Sequence, residues 1–194
     1  MPVNGALQKV MLNYPVTSFE FDYVQARSPI STVDGEVREN EYLKIKYLNG
    51  ALRVLSPNFG KITTLNGADY IGEEITIHTP SEHLIKGRRF DMEVQVTFYG
   101  ITKGDIAKQV VLSFLFEKKA GYYNKFIDDL DFYTLPNKIN TEKEIMNDLF
   151  IPKLFYSVNG EESDSDDFLT MKPFSFYTYD GSFTLTLPAH LPPQ

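Results

Sequence analysis

This sequence predicts a mainly β domain with a few short helices, and three observations lead there. Short runs of alternating or densely apolar residues recur along the chain, turn formers separate them, and aromatics are abundant, with 15 Phe and 12 Tyr among 194 residues. Strands favour such side chains, and short strands punctuated by Gly and Asn mark a sheet-dominated fold.

The elements read off in order. Tyr42–Tyr47 is followed by the turn Asn49–Gly50, and Leu52–Leu55 by Asn58–Phe59–Gly60 and Asn66–Gly67. Glu74–His78 and Met92–Phe98 flank the turn Lys86–Gly87, Val110–Phe116 is densely apolar, and Phe174–Tyr179 precedes Asp180–Gly181. On the first of the two middle runs, Thr76 and His78 share one face while Ile75 and Ile77 take the other. On the second, Glu93, Gln95 and Thr97 oppose Met92, Val94, Val96 and Phe98. Neighbouring strands can thus present a polar cluster of Thr76, His78, Glu93 and Gln95.

Two helices are expected. Tyr123, Phe126, Ile127 and Leu130 fall on one face at helical spacing. Thr141 and Glu144 form a T-x-x-E capping box ahead of Ile145 and Leu149, which are four apart. Residues 157–172 read as an acidic surface loop around Glu161–Asp167. That run lacks the glycine and glutamate spacing of an EF-hand loop, so it is read as solvated charge.

Composition excludes several functions. A net charge of −7 argues against nucleic acid, which requires a concentrated basic surface. Without cysteine there is no disulfide, thiolate metal site or Cys nucleophile. A site of three histidines would need all of His78, His83 and His190. The first twenty residues lack the apolar core of a signal peptide, and Val110–Phe116 is too short to cross a bilayer, so a soluble chain of unknown compartment is expected.

The segment His78-Thr79-Pro80-Ser81-Glu82-His83, followed by Gly87 and Glu93, resembles the α-carbonic anhydrase family, which typically reads FHFHTPSEH…G-K-x-Y-x-x-E-x-H-x-V-H here. Fainter echoes keep the same order. Arg27-Ser28-Pro29-Ile30 resembles QSPI, and Leu48-Asn49-Gly50 with Leu52-Arg53-Val54 resembles NNGHxVxV. Val110–Phe116 with Asn124 and Leu130 resembles the buried strand and following helix, and Tyr179-Asp180-Gly181-Ser182-Phe183-Thr184 resembles YSGSLT. The echoes span residues 27 to 184.

The resemblance implies a single domain over 1–194 with a large, mostly antiparallel twisted sheet and zinc on its central strands. The three ligand histidines of the family correspond here to Thr76, His78 and Gln95, so one of three remains. The resemblance also assigns Glu82 to orienting the gatekeeper hydroxyl, Thr184 to the gatekeeper, and Glu93 to the support of the third ligand. Thr97, Val111 and Phe183 correspond to the CO2 pocket. No histidine precedes His78 to serve as proton shuttle, and the chain ends where the family continues with further strands.

Zinc in this family lowers the pKa of bound water from about 15.7 to about 7. A protonated alcohol and a neutral amide are poor donors to it beside a single imidazole. The expectation is therefore no metal or other cofactor, no catalytic residue, and a structural or interaction module packed with other protein subunits. Two alternatives stand beside it: CO2 hydration by an atypical site around His78 and Glu93, and binding of a small ligand or glycan in the cleft lined by Thr76, His78, Gln95 and Thr184.

Overall fold

Strand formation follows the period-two alternation of the sequence. The computed structural model describes residues 15–26, 32–33, 36–37, 42–101, 108–119, 122–131, 134–155, 158–159 and 171–180. Its first strands are β1 (Val16–Phe21), β2 (Tyr23–Val24), β3 (Thr32–Val33), β4 (Glu36–Val37), β5 (Lys44–Leu48), β6 (Ala51–Leu55), β7 (Gly60–Thr64) and β8 (Asp69–His78). There follow β9 (Leu84–Ile85), β10 (Arg88–Arg89), β11 (Met92–Gly100), β12 (Gln109–Lys118), β13 (Tyr122–Tyr123) and helix α1 (Lys125–Asp129). The last are β14 (Glu142–Glu144), β15 (Leu149–Phe150), a 3-10 turn (Ile151–Phe155), β16 (Val158–Asn159) and β17 (Met171–Asp180).

One nine-stranded sheet organises the molecule, in the order β14-β5-β6-β8-β11-β12-β17. The ten-residue β8 uses two partners on one side: its later half pairs β6, while Asp69–Ile71 pairs β7, which in turn pairs β1. Every pairing is antiparallel, and a register shift between Thr97 and Phe98 marks a bulge opposite β8. Ile75, Ile77, Met92, Val94, Val96 and Phe98 are all at most 2% exposed and form the core on one side of the sheet. Phe114 and Phe116 of β12 join them, and truncating such a ring costs about 3–5 kcal/mol. The sheet-rich expectation therefore holds, with the predicted inward sets of β8 and β11 in the core.

Two features of the sheet set its geometry. Asn49 and Gly50 both have positive φ (52° and 82°), which lets β5 and β6 join by a two-residue turn. Gly72 sits where a Cβ would meet the Phe59 ring at 2.6 Å, so β8 runs close beneath that ring because it lacks a side chain there.

Three expectations are corrected. The segment from Thr141 is not a helix: Glu142–Glu144 forms β14 on the edge of β5, and Leu149–Phe150 pairs β2. Thr141 Oγ1 donates to the Lys138 carbonyl at 2.5 Å, and the Ile145 N–H to Leu43 O at 2.7 Å. The unpaired β5 edge supplied partners that a lone helical turn lacks, and Glu142 lies between Lys44 (2.6 Å) and Lys46 (3.5 Å). The first helix is confined to Lys125–Asp129, with Tyr123 in β13. Asn124 caps it, accepting from the Phe126 and Ile127 N–H groups, and Phe126, Ile127 and Leu130 are buried as expected. The acidic loop is narrower than 157–172, because Val158–Asn159 pairs β13 and Met171 begins β17; Glu161–Asp167 lies outside the described residues.

Candidate functional site

The polar face of β8 and β11 assembles as the alternation requires. His78 stands opposite Glu93, Thr76 opposite Gln95, and Glu74 opposite Thr97. On the far side of β11, Gln95 faces Ser113 and Thr97 faces Val111. Antiparallel partners share a face, so these residues form a patch with Glu93 at its buried end. Glu93, Thr76, Thr97, Gln95 and Ser113 are all buried, and Val111 is buried beside Thr97.

Glu93 is fully enclosed and saturated with donors. Its Oε2 accepts the main-chain N–H groups of Glu82 and His83, both at 2.9 Å. Its Oε1 lies 2.6 Å from His83 Nδ1 and accepts Ser113 Oγ at 2.7 Å and Gln95 Nε2 at 2.9 Å. The loop that carries Glu82 and His83 is held by Ser81, whose hydroxyl donates to the His83 carbonyl and accepts the Phe90 N–H, both at 2.9 Å.

This arrangement sets the charge states. Burial alone pushes the Glu93 carboxyl up, but the hydrogen bonds and positive charge of His83, with Ser113, outweigh it and bring its pKa to about 2. Burial pushes His83 down, and the hydrogen bond and charge of Glu93, aided by Glu82, reverse this so that its pKa is raised. His78 goes the other way: burial lowers its pKa, against the partial opposition of Glu82 and Glu93. These directions favour charge on both Glu93 and His83 and the neutral form of His78.

The remaining donors are also engaged. Gln95 Nε2 reaches Glu82 Oε2 at 3.4 Å as well as Glu93, and His78 Nε2 lies 3.5 Å from Glu82 Oε2. The Glu82 side chain is itself largely exposed. Thr76 Oγ1 donates to Glu74 Oε1 at 3.2 Å. Among the described residues, no group of three or more His, Cys, Asp and Glu side chains is placed to hold a metal ion.

The structure therefore brings together Thr76, His78, Glu93 and Gln95, with Glu82 alongside and Thr97 and Val111 one row away. Thr184 and Phe183 lie outside the described residues. Sequence reasoning missed four participants: Glu74, Ser113, Arg53 and Tyr99. Ser113 had a signal, as the lone polar residue within Val110–Phe116, and Glu74 shares the alternation of Thr76 and His78. Arg53 joins through strand register: its Nη1 donates to Glu74 Oε1 at 3.0 Å, and Tyr99 Oη donates to Glu74 Oε2 at 2.9 Å. A surface cavity of about 420 Å³ lined by Gln25, Ala26, Met146, Asn147 and Asp148 lies apart from all of these.

No family model matches the chain. It is similar in sequence to dioscorin DB3L of Dioscorea polystachya, 28% identical over 171 residues that cover 81% of this chain and 56% of that one. Dioscorin dioA3 of Dioscorea japonica is 28% identical over 127 residues, 66% of this chain and 39% of that one. Among solved structures, dioscorin complexed with ascorbate superposes with a TM-score of 0.50 at 19% identity, covering 75% of this chain and 53% of dioscorin. The α-carbonic anhydrase of Thermovibrio ammonificans, in complex with sulfanilamide, gives 0.51 at 15% identity, covering 73% and 51%. The chain spans about half the length of these relatives. No helix among the described residues is long and apolar enough to cross a membrane. The chain thus has the α-carbonic anhydrase fold, in a form whose sequence relatives include the dioscorins.

Proposed function

We propose that this chain is a non-catalytic carbonic anhydrase-like protein that binds no zinc, keeps the fold as a scaffold, and serves as a structural or protein-interaction module. The observation that supports it is the direction of the donors at Thr76, His78 and Gln95. Gln95 turns its amide nitrogen towards two carboxylates, Thr76 gives its hydroxyl to Glu74, and His78 faces Glu82. An N–H of an amide and a protonated alcohol do not ligate zinc, so this donor set does not fit the metal.

Glu93 is equally unsuited to replace a lost ligand. Five donors occupy its two oxygens, and withdrawing it would strand the buried His83 charge. The alternative reading of CO2 hydration around His78 and Glu93 is disfavoured on that ground. An interaction role is supported by aromatic surface beside the sheet edge: Phe19 of β1 is 38% exposed, and Tyr23 is 52% exposed while stacked on Phe150. A second reading, a small ligand on the polar face, is favoured by the dioscorin structure, which is a complex with ascorbate.

Zinc content after dialysis against micromolar zinc, paired with stopped-flow CO2 hydration, tests the proposal. No bound metal and a rate at the uncatalysed background are expected; stoichiometric zinc with a rate above background would restore the enzyme reading.

A further inference from the structure

The tetrapeptide Leu-Asn-Gly-Ala occurs at residues 48–51 and again at residues 65–68. Each copy forms the tip of a hairpin, β5 to β6 in the first case and β7 to β8 in the second. Both Asn-Gly pairs are exposed to solvent. An asparagine before glycine is open to attack by the next main-chain nitrogen, because glycine has no Cβ to shield it or restrict its approach. Local sequence and exposure are alike at the two tips, so the fold decides how fast each one reacts.

The two tips are held differently. In the second, the Gly67 N–H donates to Thr64 O at 2.8 Å. Asn66 Oδ1 accepts from Thr64 Oγ1, and from the Ala68 N–H at 3.3 Å. The attacking nitrogen and the side chain it must reach are therefore both tied to the hairpin, and Thr64 itself is buried. In the first tip φ is positive at Asn49 and Gly50 (52° and 82°), the pattern of a tight two-residue turn. Such a turn closes through its flanking residues, here the paired Leu48 and Ala51, and leaves the middle N–H pointing outward. Among the described residues, neither the Gly50 N–H nor the Asn49 side chain has a hydrogen-bond partner.

We propose that Asn49 is a site of spontaneous deamidation, and that Asn66, in the same tetrapeptide, is protected by its hydrogen bonds. The Gly50 nitrogen gives up its proton and bonds to Asn49 Cγ, the Cγ–Nδ2 bond breaks, and ammonia leaves carrying that proton. Water then opens the resulting succinimide. Addition at Cγ gives aspartate, and addition at the main-chain carbonyl carbon of residue 49 gives isoaspartate. Nothing is oxidised or reduced. Either product adds one negative charge, and isoaspartate also adds a main-chain carbon to the turn that sets β5 against β6. Ring closure at Asn66 must first break the bonds from Gly67, Thr64 and Ala68, each at a net cost. A rate ratio of about tenfold or more in favour of Asn49 follows. The site is independent of whether the chain binds zinc.

The test is to age the full chain, folded in mildly alkaline buffer, and to follow its tryptic peptides by mass spectrometry. Cleavage after Lys46, Arg53, Lys61 and Lys86 puts Asn49 on peptide 47–53 and Asn66 on peptide 62–86, neither with another amide side chain. Peptide 47–53 should gain the mass of an amide-to-acid conversion and separate by chromatography into aspartate and isoaspartate forms. Peptide 62–86 should convert about tenfold or more slowly. In urea the two rates should converge, because the local sequences are identical. Thr64→Val, which removes the hydroxyl that holds Asn66 Oδ1, should speed reaction at Asn66 several-fold and leave Asn49 unchanged. Equal rates in the folded chain, faster reaction at Asn66, a gap that persists in urea, or an unmoved Asn66 rate in Thr64→Val would each overturn the assignment.

Discussion

Glu93 and His83 are joined twice: the imidazole Nδ1 lies 2.6 Å from one carboxylate oxygen, and the main-chain N–H of the same histidine donates to the other at 2.9 Å. The contact ties the loop after β8 to the start of β11. Buried pairs of this kind are strongly destabilising to break, because the survivor is left charged and unpaired.

Glu93→Gln should therefore be severe although the side chains are nearly the same size. An amide has one acceptor oxygen, and its NH2 end must then face donors now bound to a carboxylate. A loss of about 3–5 kcal/mol is expected in urea unfolding. A loss below about 1 kcal/mol would show that the five hydrogen bonds do not hold the loop.

The pair also sets a pH window. Glu93 is depressed from 4.5 to about 2, so its contribution is present above 4.5 and is lost as pH falls from there towards 2. His83 is raised above 6.5, so its contribution is present below 6.5 and is lost as pH rises through the folded value. The ion pair is thus fully stabilising between about 4.5 and 6.5. His78 is depressed below 6.5 and works in the opposite sense, adding stability as pH rises. In the range just below pH 6.5, denaturation midpoints should rise less with pH in His78→Gln than in the parent, because the parent alone gains from the depressed His78 there. An equal or steeper rise in the variant would contradict the direction assigned to His78.

Gly72 tests the packing behind the site. A Cβ there would meet Phe59 Cε2 at 2.6 Å and Phe98 Cε1 at 3.1 Å, and both rings are fully buried. Gly72→Ala should cost about 1–3 kcal/mol through overpacking, read as a lower urea midpoint at unchanged slope. A neutral result would mean that the rings shift freely.

Much of the site was legible because period-two alternation is a local signal. Ile75 and Ile77, Met92 to Phe98, and the polar set opposite them all follow from residues two apart, and the motif around His78 indicated the fold. The segment from Thr141 failed for the converse reason. Its capping box and the Ile145–Leu149 spacing are local helix signals, whereas the competing partners, Leu43, Lys44 and Lys46, lie about a hundred residues away. Arg53 was missed likewise, since only the register of β6 against β8 brings it to Glu74. Such choices depend on which edge is free once the sheet has formed, and no window of sequence contains that.

The most direct test of the account is zinc bound per chain, measured side by side for the parent protein and for Thr76→His with Gln95→His after identical dialysis. If hydrogen bonds occupy the positions where the fold family holds its metal, the parent binds none and the double variant, regaining three imidazoles around His78, binds close to one. Stoichiometric zinc on the parent, or none on a folded double variant, would contradict it.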